Sequence, residues 1–127
     1  MIAGLKPVPV IFWSTENGNE PVREWLKELP KDDRKTIGED LRTLQLGWPM
    51  GMPLCKSLKG GLWELRSTLA SHRIARIILT FFAGALVLLH GLIKKERRIR
   101  KADLDLAHDR LKALRKNKIG LVPCPGR

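Results

Sequence analysis

The feature that most restricts what this chain can become is the run from Ile77 to Ile93. These seventeen residues contain no Asp, Glu, Lys or Arg, and they lead directly into Lys94–Lys101, where six of eight residues are Lys or Arg. As a helix the run would reach roughly 25 Å, short of a hydrocarbon core of about 30 Å. Ala83-Gly84 also falls near its middle, where a turn divides it into two pieces of strand length. Both pieces are rich in Ile, Leu, Val and Phe, as expected of strands buried on both faces. HRIARIILTFF reads as one of them, emerging from a polar end. The run is therefore read as a hairpin ending in a cationic segment, not as a membrane span.

The remaining segments supply neighbours for that hairpin. PVPVIFW (7–13) is a short apolar strand. NEPVREWLKEL (19–29) places Pro21 in a first helical turn and Val22, Trp25, Leu26 and Leu29 on one buried face. Pro30 ends that helix, and a second runs from about Asp32 to Gly47, burying Ile37, Leu41 and Leu44. WPMGMP (48–53) is a connector. GLWELRSTL (61–69) alternates Leu62, Glu64 and Arg66 against Trp63, Leu65 and Ser67, the pattern of a half-buried strand. A last helix spans about Lys101 to Asn117, with Leu104, Ala107, Leu111 and Leu114 as its apolar stripe. The expected fold class is α+β: a small antiparallel sheet in the order β-α-α-β-β-β-α with helices packed on it. Residues 1–117 form one domain, and residues 118–127 a poorly ordered tail.

Charge narrows the partners. The chain of 127 residues carries a net +11, unevenly placed: residues 1–50 sum to −1 and residues 51–127 to +12. A half so basic points to a polyanion, nucleic acid or an anionic surface. Cys55 and Cys124 form no zinc-spaced set, and a reduced pair fits better than a disulfide. The first thirteen residues lack the features of a signal peptide, so a cytoplasmic location is expected.

Few residues offer ready-made chemistry. His72, His90 and His108 are too scattered for a metal site, and no phosphate-binding glycine motif occurs. Asp32-Asp33 and Glu39-Asp40 lie early in a helix, where acids favour the macrodipole. No metal, cofactor or small-molecule substrate is expected. What remains is cationic. Arg66 lies on the polar side of its strand, Arg73 opens the next, Lys94 and Lys95 close the last, and Lys56 and Lys59 precede the first of these. In a meander such ends converge on a basic cleft. The competing reading is a solvated rim, with Arg66 paired to Glu64.

KSLKGGLWELRSTLASHRIARIIL, then LLHGLIKKE and a helix containing LDLAHDRL, resembles the HigB-like, phage-derived branch of the RelE/ParE toxin superfamily. The resemblance runs from the first strand to about residue 117. It implies a ribosome-dependent endoribonuclease that cleaves translated mRNA by 2′-hydroxyl attack on the adjacent phosphate, without a metal. It also implies a HigA-like helix-turn-helix antitoxin, bound in a hetero-oligomer. By position it assigns Arg73 to the scissile phosphate, with Lys95, Lys94 and Arg66 as further catalytic cations. Lys56, Lys59, Arg97, Arg98, Arg100 and Lys101 would bind RNA or the ribosome. Glu64 stands where such enzymes carry a catalytic lysine, and the chain has no tyrosine to stack on a base, a role that either passes to a tryptophan or is absent. Candidate proton acceptors are Glu64, His90 and His72. The alternatives are a ParE-type inhibitor of DNA gyrase without catalysis, or an RNA-binding module.

Overall fold

The uncharged run folds as the expected hairpin. In the structure, a computed structural model that describes residues 6–94 and 98–117, it forms most of strands Ile74–Phe82 and Ala85–Lys94. Ala83 and Gly84 join them with φ of 52° and 82°. Two left-handed central residues give the turn whose twist matches that of the flanking strands, and glycine adopts this conformation without steric cost.

In chain order the elements are β1 (Val10–Phe12), α1 (Pro21–Lys27), α2 (Lys31–Gly47), β2 (Cys55–Ser57), β3 (Trp63–Thr68), β4 (Ile74–Phe82), β5 (Ala85–Lys94) and α3 (Lys101–Asn117). A short 3₁₀ turn, Ala70–His72, connects β3 to β4. The sheet order is β1-β5-β4-β3-β2. The fold class is the expected α+β, with two differences. The connector and the residues after it yield an extra edge strand, β2, and the sheet is mixed because β1 runs parallel to β5. A parallel neighbour requires a crossover, which the helices between β1 and the meander supply. In outline the arrangement loosely resembles RelE/ParE-like toxins.

Both faces of β4 and β5 are covered, which explains their lack of polar alternation. On one face Val22, Ile37 and Leu44 of α1 and α2 pack with Leu65, Ile77, Leu79, Leu86 and Leu88. On the other, Ala107, Leu111 and Leu114 of α3 pack with Leu62, Ile78, Val87, Leu89 and Leu92. Leu79 pairs with Leu88 but Ile78 with His90, so Leu89 is an extra residue, a β-bulge. Among the described residues no helix is long and apolar enough to cross a membrane.

Candidate functional site

Strand direction sorts the charges. β3 ends at Thr68, β4 begins at Ile74 and β5 ends at Lys94, all at one end of the sheet. In the register Lys94 lies opposite Ile74, Ile74 opposite Thr68, and Arg66 opposite Arg76. Directly paired residues share a face, so Arg66, Thr68, Ile74, Arg76 and Lys94 look the same way. A groove of about 460 Å³ opens here, lined by Arg66, Thr68 and Ile74 of the sheet, Thr36 and Asp40 of α2, and Pro53 and Leu54.

Arg66 is the cation that enters the groove. Its side chain is 26% exposed, and its Nε lies 3.4 Å from Glu64 Oε2. That Nε is buried without a hydrogen-bond acceptor. The Glu64 carboxylate instead accepts from Arg76 Nη1, and both residues of this pair are almost wholly buried, at 2% and 1% exposure. This corrects two expectations. Glu64 does not lie on a solvated face, because α3 covers that side of the sheet. Nor is it placed to accept a proton from a ligand, because its charge offsets Arg76 inside the core. The two guanidinium groups stand directly across from each other, and Glu64 lies beside both.

Arg73 lies outside the residues that line the groove. It immediately precedes Ile74, and its Nη1 and Nη2 donate to Asp33 Oδ2 and Oδ1, each at 2.9 Å. Its Nε donates to the Ala70 carbonyl at 3.1 Å. The hydrogen bonds to Asp33 raise its pKa above the ordinary guanidinium value. Asp33 is buried and lies one turn before Thr36 on α2.

Lys94 is held in place rather than solvated. Its side chain is 9% exposed, and Nζ donates to Asp103 Oδ2 at 3.0 Å. The other oxygen, Oδ1, lies 2.8 Å from His90 Nε2, and Arg100 Nε stands 3.9 Å from Oδ2. Burial works to raise the pKa of Asp103, but the hydrogen bonds from His90 and Lys94 outweigh it and the carboxyl is lowered. His90 also lines a smaller cavity of about 200 Å³ with Trp25, Gly91 and Arg110.

The other expected residues are dispersed. His72 is exposed on the 3₁₀ turn, with φ of 61°. Lys56 is exposed on β2, opposite Glu64. Lys59 is exposed in the loop between β2 and β3, at the opposite end of the sheet from Arg73 and Lys94. Arg98, Arg100 and Lys101 are exposed just before or at the start of α3, and Lys101 pairs with Asp105 at 3.1 Å. Lys95, Arg97, Cys124 and the tail from 118 lie outside the described residues. Cys55 is buried, and its thiol is pushed up to about 11, first by burial and then by Glu64. Among the described residues no group of three or more His, Cys, Asp or Glu gathers to hold a metal ion.

The aromatic residues do not replace the missing tyrosine at the cationic end. Trp48 packs edge-on to Trp63 and stacked on Phe81, with ring centroids 5.2 and 5.6 Å away. This cluster occupies the end of the sheet opposite the groove. Trp25 lies against Gly91, and Trp13 beneath the Arg110 guanidinium.

Sequence reasoning missed Asp33 and Asp103, which anchor Arg73 and Lys94, and Arg76, which holds the Glu64 carboxylate in the core. The two aspartates lie in the first turns of α2 and α3. There the macrodipole accounts for an acid just as well as a distant cation does, so the sequence carries no separate signal for the pairing.

Residues 24–112 match the model of a family described as "Phage derived protein Gp49-like (DUF891)". No curated protein matches the chain.

Proposed function

The chain belongs to the phage-derived Gp49-like family, and from that membership and its cationic groove we propose that it is a RelE/HigB-like toxin, a ribosome-dependent endoribonuclease acting on translated mRNA. The observation that carries the reading is Arg66. A guanidinium with one buried, unbonded donor opens into a groove whose floor includes Thr68 and Ile74, with Arg73 beside it and Lys94 across Ile74. An RNA phosphate seated over Ile74 meets cations from both sides.

Attack of a 2′-hydroxyl, as it loses its proton, on that phosphate passes through five-coordinate phosphorus bearing extra negative charge, and the bond to the 5′-oxygen of the next nucleotide breaks, leaving a 2′,3′-cyclic phosphate and a protonated 5′-hydroxyl. Preplaced guanidinium and ammonium groups stabilise charge that grows in this step, in a setting where they need little reorganisation. Arg66 and Arg73 have the fork geometry that suits two phosphate oxygens, and Lys94 supplies a point charge. Lys95, next in sequence, is a further candidate. Asp40, on the α2 wall of the groove, keeps an anion toward the sheet side. Arg98, Arg100 and Lys101, exposed around the start of α3, extend the positive surface toward the ribosome. A HigA-like antitoxin that masks this surface would need acidic or apolar chemistry.

The test is induction in a bacterial host with mapping of mRNA 5′ ends. Cuts confined to translated frames, lost when initiation is blocked and greatly reduced in Arg66→Ala, support the reading. Intact mRNA with gyrase-linked DNA breaks would instead mark a ParE-type inhibitor, and intact mRNA and DNA with retained RNA binding a non-catalytic module.

A further inference from the structure

One carboxylate serves two side chains of the same strand. Asp103, in the first turn of α3, accepts from Lys94 Nζ at 3.0 Å with one oxygen and lies 2.8 Å from His90 Nε2 with the other. From these contacts we infer that Asp103 is a positioning residue for the nuclease site, aiming the Lys94 ammonium along the end of β5 toward the phosphate over Ile74. The inference rests on the nuclease reading and deepens it.

Three observations separate aiming from simple attachment of α3. The helix is already attached: Ala107, Leu111 and Leu114 are buried against Ile78, Val87, Leu89 and Leu92. Second, Lys94 is 9% exposed, so its long side chain has given up most of its freedom to hold one direction. Third, the carboxylate is held on both sides. His90 fixes Oδ1 from the buried part of β5, which leaves Oδ2 at a defined place for Lys94, four residues further along the strand.

The groups facing Asp103 are His90 and Lys94 from β5 and Arg100 from its own helix; Arg110 shares the small cavity with His90. Three basic side chains around one carboxylate keep it ionised through the working pH range. The ammonium remains directed. It acts on substrate, whereas Asp103 acts only through it.

The test is a double-mutant cycle in single-turnover cleavage on programmed ribosomes, using the full chain with Lys94→Ala, Asp103→Asn and both together. Loss of the ammonium should lower the rate of the chemical step by about 100-fold. Asp103→Asn should lower it by at least about 10-fold, with the half-saturating ribosome concentration little changed. The double variant should be no slower than Lys94→Ala alone, because a residue acting through Lys94 has nothing left to act on. Multiplying losses would show an independent structural role and overturn the inference while leaving the nuclease reading intact. A parent protein that never cleaves removes both. Circular dichroism checks each fold. If Asp103→Asn unfolds, Asp103→Glu replaces it in the same cycle. That variant keeps the charge but moves it by one methylene, and it must slow cleavage only when Lys94 is present.

Discussion

Arg73 and Asp33 form a two-pronged pair, guanidinium to carboxylate, with both hydrogen bonds at 2.9 Å across forty residues of sequence. The pair ties the turn before β4 to the first turn of α2, and it occupies the arginine that the family resemblance assigns to the scissile phosphate. Both duties compete for the same donors. Asp33→Asn should therefore lower the thermal midpoint by a few degrees while strengthening binding to single-stranded RNA. The freed guanidinium should steepen the salt dependence by about 0.7 in log–log slope, the share of one phosphate on a single strand. Titrations at several salt concentrations, beside a melting curve, check both. A lower midpoint with unchanged RNA binding would confine Arg73 to a structural role.

The Glu64–Arg76 pair makes the opposite kind of prediction. Both partners are almost wholly buried, so removing one costs the other a charge-assisted hydrogen bond inside the core. Glu64→Ala should destabilise the fold by about 3 kcal/mol or more. Replacing Glu64 and Arg76 together with methionine should recover part of that loss, since the buried ion pair then gives way to apolar side chains of similar size. Urea unfolding of the three variants tests it; a double replacement as unstable as Glu64→Ala would contradict the argument.

Asp103 should be visible in the acid limb of stability. Its carboxyl is lowered in the folded protein because the hydrogen bonds from His90 and Lys94 overcome the effect of burial. A depressed carboxylate contributes stability that is present above its unfolded value and lost as pH falls through the folded one. The affected window is therefore below about pH 4. Asp103→Asn should be less stable than the parent at neutral pH and should lose less on acidification through that window. Urea midpoints measured down the acid range, corrected for the parent's other carboxylates, give the comparison.

Gly91 marks a close approach between β5 and α1. A Cβ placed there would run into the Trp25 ring at Cε3. Gly91→Ala should destabilise by about 1–3 kcal/mol through overpacking. In a Trp25→Leu background the same change should cost much less. Thermal melts of the four proteins complete the cycle.

Much of the fold was legible because the strongest signals are one-dimensional. An uncharged run, an Ala-Gly break and the α3 stripe of Leu104, Ala107, Leu111 and Leu114 need no knowledge of neighbours. β2 was not legible. Cys55–Ser57 is three residues long with a lysine at its centre, and it is a strand only because β3 lies beside it. The burial of Glu64 escaped for a related reason. Polar alternation puts a carboxylate in water, and only the placement of α3 over that face makes it a core residue. At the site the sequence supplied the cations but not their partners. Arg73 and Lys94 were visible as strand-end charges, whereas the choice of Asp33 and Asp103 is made by how α2 and α3 cross the sheet.

The bulge at Leu89 turns the odd-even count of β5 into a functional quantity. Paired without surplus, Leu89 would lie opposite Ile78, and every residue beyond it would change sides. Gly91 would then turn toward α3, and His90 and Lys94 toward the apolar face beneath α1. Whether Asp103 has anything to hold is thus set by the parity of the strand between its bulge and its last lysine. Deleting Leu89 would remove a buried side chain yet preserve that parity, leaving His90 opposite Ile78. Deleting Leu92, three positions later, would keep His90 where it is and send Lys94 to the other face. Two losses of one leucine each, from the same strand, would have opposite consequences for the same ammonium group.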